Sequence, residues 1–222
     1  MGELEILADR IMHCRNCPRL LSWCESVAVE KRASFRDETY WGKPISGFGD
    51  PCAQIVIVGL APGAHGANRT GRVFTGDRSG EWLYRAMYRA GLASQASSVH
   101  RGDGLVLRNA WVTVAVKCAP PGNRPTPGER ANCAHYLETE LDLLTGATVV
   151  VCLGAFAFHA VCEQLELRPR PKFGHGKLVS TERYTLLCSY HPSQQNTFTG
   201  KLTEPMLDEI FATAGELVRS RH

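Results

Sequence analysis

No apolar stretch in the sequence approaches the roughly 18 residues that a membrane span needs,. The N-terminus, "MGELEILADRIMHCRNC", lacks a basic region and a long apolar region, so no secretory leader is read there,. Charge of one sign is also scarce: the formal net charge is only +3, too small for a chain-wide attraction to polyanions,. No repeat or low-complexity linker interrupts the chain. The glycine-rich loop after the first apolar run lacks a Gly-Lys-Ser/Thr ending, which excludes a Walker phosphate loop. Gly59, Gly63 and Gly66 also miss the Gly-x-Gly-x-x-Gly spacing of dinucleotide sites,. These absences predict a soluble, cytoplasmic globular protein, and the remaining fractions agree with a single domain spanning 1–222,.

Cysteine, by contrast, is plentiful. Nine cysteines, an odd count with no leader, argue for thiols rather than a disulfide framework,. Cys14 and Cys17 form a Cys-x-x-Cys pair, and Cys118 and Cys133 flank a later loop and helix start. Four thiolates from two separated segments can hold zinc or a [4Fe–4S] cluster, and spacing leaves both open beside unligated thiols. Cys52, Cys152, Cys162 and Cys188 lie in or beside apolar runs, where cysteine acts as a small hydrophobe,. Cys24 fits either group. Basic residues are also uneven: Arg69, Arg72 and Arg78 share one loop, and Arg108, Lys117, Arg124 and Arg130 follow. Such a patch can attract phosphates, although for any single one of these residues a solvated surface is the first reading.

Periodicity predicts strands at 54–60, 110–118, 147–154 and 184–190, with helices at 3–13, 78–92, 127–144, 155–166 and 204–219,. Short apolar strands separated by such helices indicate an α/β class: a three-layer α/β/α sandwich around a four-stranded parallel sheet. Residues 14–50 show little regular pattern and read as an irregular N-terminal lobe on the sandwich. Ligands of open parallel sheets lie beyond the carboxyl ends of the strands. The site is therefore expected from three loops, 59–80, 118–128 and 190–201. The third strand runs almost directly into its helix.

The first loop holds one carboxylate, Asp77, and one imidazole, His65. Asp77 stands where a helix N-cap is expected, and position alone fits capping and catalysis equally. His191, before Pro192, ends the fourth strand in the site region.

Three segments, "GLAPGAHGANRTGRVFTGD" (59–77), "VKCAPPGNRPTP" (116–127) and "SYHPSQQNTFTGKLT" (189–203), resemble the uracil-DNA glycosylase superfamily, most closely its iron–sulfur family 5, or type B. The resemblance runs from Cys14 to the last helix. It implies the α/β/α fold and a structural [4Fe–4S] cluster on Cys14, Cys17, Cys118 and Cys133. It implies monofunctional removal of uracil from DNA by a monomer, since no lysine stands in a lyase motif. Other branches carry a polar, water-positioning residue near the proline of the first motif. Here Ala61 precedes Pro62, so that role passes to Asp77, as in the branch resembled.

On the same basis Phe74 stacks on the base, and Gly59, Ala61 and Gly63 form a close backbone wall. His191 donates to the base carbonyl, and Asn196 holds the loop or the water. Arg69, Arg72, Ser193 and Lys201 meet phosphates, and Phe198 or Gln194 is the wedge. Val114 occupies a strand position where some relatives have asparagine, which leaves base reading to backbone groups and Asn123. Fewer side-chain bonds to one base predict tolerance of other deaminated bases such as hypoxanthine. An inactive iron–sulfur DNA-binding module and a hydrolase of free nucleosides or nucleotides are the alternatives.

Overall fold

The structure is a computed structural model and describes residues 2–220. Met1, Arg221 and His222, included in the expected 1–222 domain, lie outside the described residues. The chain runs α1 (Glu3–Met12), α2 (Pro18–Glu30), β1 (Phe48–Gly49), β2 (Ile55–Gly59), α3 (Ala67–Thr70), α4 (Arg78–Arg89) and β3 (Ala110–Val114). It continues through α5 (Pro127–Leu143), β4 (Val149–Leu153), α6 (Ala155–Gln164), β5 (Leu178–Ser180), β6 (Thr185–Ser189), α7 (Gln194–Phe198) and α8 (Glu204–Arg219).

The sheet has six strands in the order β1-β3-β2-β4-β6-β5. Its centre is the expected set of four parallel strands, β3, β2, β4 and β6. The correction is at the edges, where β1 and β5 add antiparallel pairings of two and three residues. Strands that short carry no period-2 signal, so sequence patterning misses them. Each central strand is buried along its whole length, as a sheet covered on both faces requires,. Separate apolar clusters cover its two faces, and a third gathers α1 and α2 against Cys118 and Cys133.

Residues 14–50 are less irregular than expected, because Pro18–Glu30 is a helix. Leu20, Cys24 and Val27 mark its buried face, and Pro18 starts it,. Two serines, a cysteine and two valines, weaker helix formers, obscure that stripe in sequence,. Among the described residues no helix is long and apolar enough to cross a membrane.

The parallel register brings Gly59 level with Val114, and Leu153 level with Ser189. The loops that follow these residues therefore leave the sheet at one edge, where the site is expected.

Candidate active site

At the end of the first loop Asp77 does two things. Its Oδ1 accepts the Gly80 N–H at 3.0 Å and caps α4,. Its Oδ2 faces back into the loop: a Cβ at Gly66 would stand 1.9 Å from it, and one at Gly63 2.9 Å. The loop thus wraps the carboxylate so closely that only glycine fits at position 66. Burial raises the Asp77 pKa, and the N–H groups of Gly80 and Ser79 partly offset it,. His65 turns away to the N-terminal lobe, its Nδ1 3.1 Å from the Tyr40 hydroxyl.

Phe74 is buried with φ of 50°, a conformation rare for an aromatic residue,. Its ring lies on bare backbone, since a Cβ at Gly59 would meet Phe74 Cζ at 2.5 Å. Its carbonyl oxygen abuts Gly80, where a Cβ would stand 1.8 Å away. The His191 ring lies 5.8 Å from the Phe74 ring at 34°. The imidazole comes from the end of β6, with its Cβ 3.2 Å from where a Gly154 Cβ would be. Asn196 Nδ2 donates to the His191 carbonyl at 2.9 Å, a bond within the 190–201 loop. Ser193 caps the short α7 by accepting the Asn196 N–H at 3.4 Å. Burial lowers the His191 pKa to about 4, so the ring is neutral at pH 7 and can donate a hydrogen bond without charge,.

Two expected phosphate contacts point the other way. Arg69 and Arg72 are 7% and 6% exposed. Arg69 pairs with Glu38 and donates to the His65 and Gly76 carbonyls. Arg72 pairs with Asp103 at 2.8 Å. Both guanidiniums hold the loop from inside and have no free face for DNA. Lys117 is also corrected as a patch residue. It is buried, with Nζ 2.6 Å from Glu140 Oε2, and the same oxygen accepts from Thr113. Arg130 is tied to Glu163. The exposed cation beside the site is Lys201, 4.9 Å from the centre of the Tyr190 ring. Arg78 lies 4.3 Å over Phe198, which is 68% exposed on α7.

Val114 is buried, and its Cγ1 lies 3.2 Å from the point a Gly59 Cβ would take. Ala61 is half-buried against the cluster that contains Cys118 and Cys133. Asn123 is exposed in a tight turn at φ of 56°, and among the described residues its side chain makes no hydrogen bond to Asp77 or His191.

Residues 46–215 match the family model described as the uracil DNA glycosylase superfamily. The chain belongs to that superfamily. It is 50% identical over 225 residues to the type-5 uracil-DNA glycosylase of Mycobacterium bovis, covering 97% of this chain and 82% of that protein. The type-5 uracil-DNA glycosylase of Thermus thermophilus is 48% identical over 218 residues, covering 97% and 98%. A type-4 uracil-DNA glycosylase of Archaeoglobus fulgidus is 31% identical over 202 residues, covering 87% and 83%.

Within this superfamily frame the thiols of Cys14, Cys17, Cys118 and Cys133 line one pocket with Lys117 and Tyr136. The Lys117 N–H points at Cys133 Sγ, 3.2 Å away. Burial raises the Cys133 pKa to about 11, with Cys14 and Cys17 adding to the rise,. Four cysteines lining one pocket are a donor set that either zinc or a [4Fe–4S] cluster takes,. Among the described residues no three His, Cys, Asp or Glu side chains converge tightly enough for a single ion. Cys24 sits beside this group, its Sγ donating to the Ala119 carbonyl at 3.6 Å. Cys52 is exposed, contrary to the expected small hydrophobe, whereas Cys152, Cys162 and Cys188 are buried in the core.

Sequence reasoning missed Gly66, Gly80 and Gly154, whose lack of a side chain lets Asp77, Phe74 and His191 take their positions. It also missed His175, whose Nδ1 accepts the Tyr190 N–H at 3.0 Å while its ring stacks on Tyr190. In sequence Gly66 reads as a loop residue, Gly80 as part of a helix and Gly154 as a strand end, and none of these signals a close contact. His175 belongs to no motif.

Proposed function

We propose that this chain is a monofunctional uracil-DNA glycosylase that hydrolyses the N-glycosidic bond and leaves an abasic site, the first step of base excision repair. The observation that carries this reading is the arrangement at the sheet edge. One aromatic face, one neutral imidazole and one wrapped carboxylate converge over backbone stripped of side chains. A base inside a duplex is out of reach, so the target nucleotide must be turned out of the stack. Phe74 takes the flipped ring, and the flat wall of Gly59, Ala61 and Gly63 lets base and sugar approach closely. Cleavage puts negative charge on the base oxygen and positive charge on the deoxyribose. His191, neutral and fixed by Asn196, donates to the base oxygen as charge develops there,. Asp77 Oδ2 orients the attacking water and offsets the sugar's charge, while Oδ1 stays committed to the α4 cap. The rise that burial gives the Asp77 pKa delays its ionisation, so excision falls on the acid side,.

Lys201 and Ser193 meet backbone phosphates, and Phe198 enters the stack beside the flipped nucleotide. With Val114 where a polar reader could stand, the pocket also accepts hypoxanthine. Cys14, Cys17, Cys118 and Cys133 hold a [4Fe–4S] cluster that supplies a structural tie and no redox step. It binds the N-terminal helices to the loop after β3.

The test is excision from labelled duplexes with one uracil, one hypoxanthine or only normal bases, followed by alkaline strand cleavage. Alkali-dependent cleavage at uracil, lost in Asp77→Asn with DNA binding retained, is expected. A folded wild type that cleaves no lesion overturns the reading.

A further inference from the structure

The residues flanking Phe74 are held by Arg72 and by Tyr84, Ser98 and Asp103, the last three outside the recognition motifs. The Val73 carbonyl accepts from the Tyr84 hydroxyl at 3.0 Å and from Thr75 Oγ1 at 3.1 Å. The Gly76 N–H donates to the Ser98 carbonyl at 2.9 Å. Thr75 Oγ1 accepts from Arg72 Nε at 3.0 Å and lies 2.7 Å from Ser98 Oγ. Arg72 Nη2 in turn donates to Ser98 Oγ at 2.8 Å and to both oxygens of Asp103. Asp103 is saturated: Oδ1 also accepts the Leu105 N–H at 3.1 Å, and Oδ2 the Val99 N–H at 2.8 Å. A positive φ on an aromatic residue persists only where its surroundings over-determine it. Here Thr75 is tied directly to the buried Arg72–Asp103 pair, and Val73 is tied to it through Thr75.

We infer that Arg72 and Asp103, through Ser98 and Thr75, are positioning residues that hold the Phe74 ring in its stacking pose for the flipped base. The 98–105 loop is therefore part of the active site although it touches no substrate. This rests on the function proposed above for Phe74. It replaces the phosphate contact expected of Arg72.

Asp103→Asn is the discriminating change. Each Asp103 oxygen faces Arg72 and a backbone N–H, so the new NH2 group points at two donors whichever way the amide turns,. The experiment is a double-mutant cycle of Asp103→Asn with Phe74→Gly, read by single-turnover excision of uracil and by affinity for a duplex with a tetrahydrofuran abasic analogue. Displacing a positioned group by an ångström costs about 100-fold in rate, so Asp103→Asn should slow excision about 10- to 100-fold with Phe74 present. In the Phe74→Gly background the same change should cost less than about threefold, the signature of two residues acting as one. Affinity for the abasic duplex, which offers no base to stack, should stay within about twofold.

Equal losses in both backgrounds, or none with Phe74 present, overturn the inference. If Asp103→Asn does not fold, Ser98→Ala removes the hydroxyl shared by Arg72 and Thr75 and carries the same cycle. A second readout needs no activity: 4-fluorophenylalanine labelling, with the Phe74 resonance identified by its loss in Phe74→Gly. That line should shift or split in Asp103→Asn and stay fixed in the control Arg36→Ala. Wild type that excises no uracil would sink the proposed function, and the fluorine spectrum would still decide the clamp.

Discussion

Replacing Gly66 by alanine tests whether the inward oxygen of Asp77 is the reacting one. The added Cβ falls 1.9 Å from Oδ2, and the backbone at Gly66, with φ −98° and ψ −99°, also lies outside the main allowed regions, so contact and conformation both favour glycine there,. To reach ordinary contact the carboxylate or the loop must give by about 1.5 Å, and a misplacement of that size costs about 100-fold in rate,. Overpacking of this kind destabilises by about 1–3 kcal/mol, a small part of the roughly 5–15 kcal/mol typical of a folded domain. The melting temperature should fall by about 2–4 °C per kcal/mol, leaving the protein folded at 25 °C. Gly63→Ala is the graded control. Its Cβ stands 2.9 Å from the same oxygen and requires only about a third of that movement, so its loss should be intermediate,. Single-turnover excision with excess enzyme, beside binding to an abasic duplex, separates misplacement from poor binding. Wild-type rate in Gly66→Ala, or a larger loss in Gly63→Ala, would refute the assignment of Oδ2 to the chemistry.

Lys201→Ala should lower the slope of log affinity against log salt by about one contact, whereas Arg69→Met and Arg72→Met should leave the slope unchanged. A reduced slope for either arginine variant would return it to the DNA surface. Lys117→Met strands the Glu140 carboxylate in the core, which costs about 3–5 kcal/mol and should lower the melting temperature by about 10 °C, read by calorimetry; a loss under about 1 kcal/mol would mean that Glu140 finds another partner. His191 titrates near 4 when folded and near 6.5 when unfolded, so between those values the unfolded chain binds more protons,. Its contribution is complete above about pH 6.5 and is lost as pH falls to about 4, a change of about 3 kcal/mol at most,. Denaturant midpoints for wild type and His191→Asn at pH 7 and pH 4.5 should converge in acid, and parallel pH dependences would contradict it.

The parts of the fold visible in the sequence are those set by long-range burial. Four apolar runs had to be central strands, and the loops after them had to share an edge. Asp77 and His191 stood out because their types and places agreed. Side-chain direction is another matter. Gly122 has nothing within 4 Å of an added Cβ and Gly66 admits none, yet both read alike as loop glycines; Gly128 and Gly80 differ in the same way and read alike as residues of expected helices. Arg72 and Lys117 likewise read as surface charge until their acids, Asp103 and Glu140, are brought next to them from 31 and 23 residues away. Counting basic residues therefore overstates the positive surface of this chain, because several are spent inside as scaffold. What remains beside His191 is small and differently built: Lys201 against Tyr190, and Arg78 against Phe198, each cation resting on an aromatic face. A cation held in this way is already partly ordered before a phosphate arrives, so less side-chain freedom is lost on contact. On the proposed reading, a nearly neutral glycosylase meets a polyanion with a few placed charges, while Arg69 and Arg72 brace the loop that carries Phe74 and Asp77.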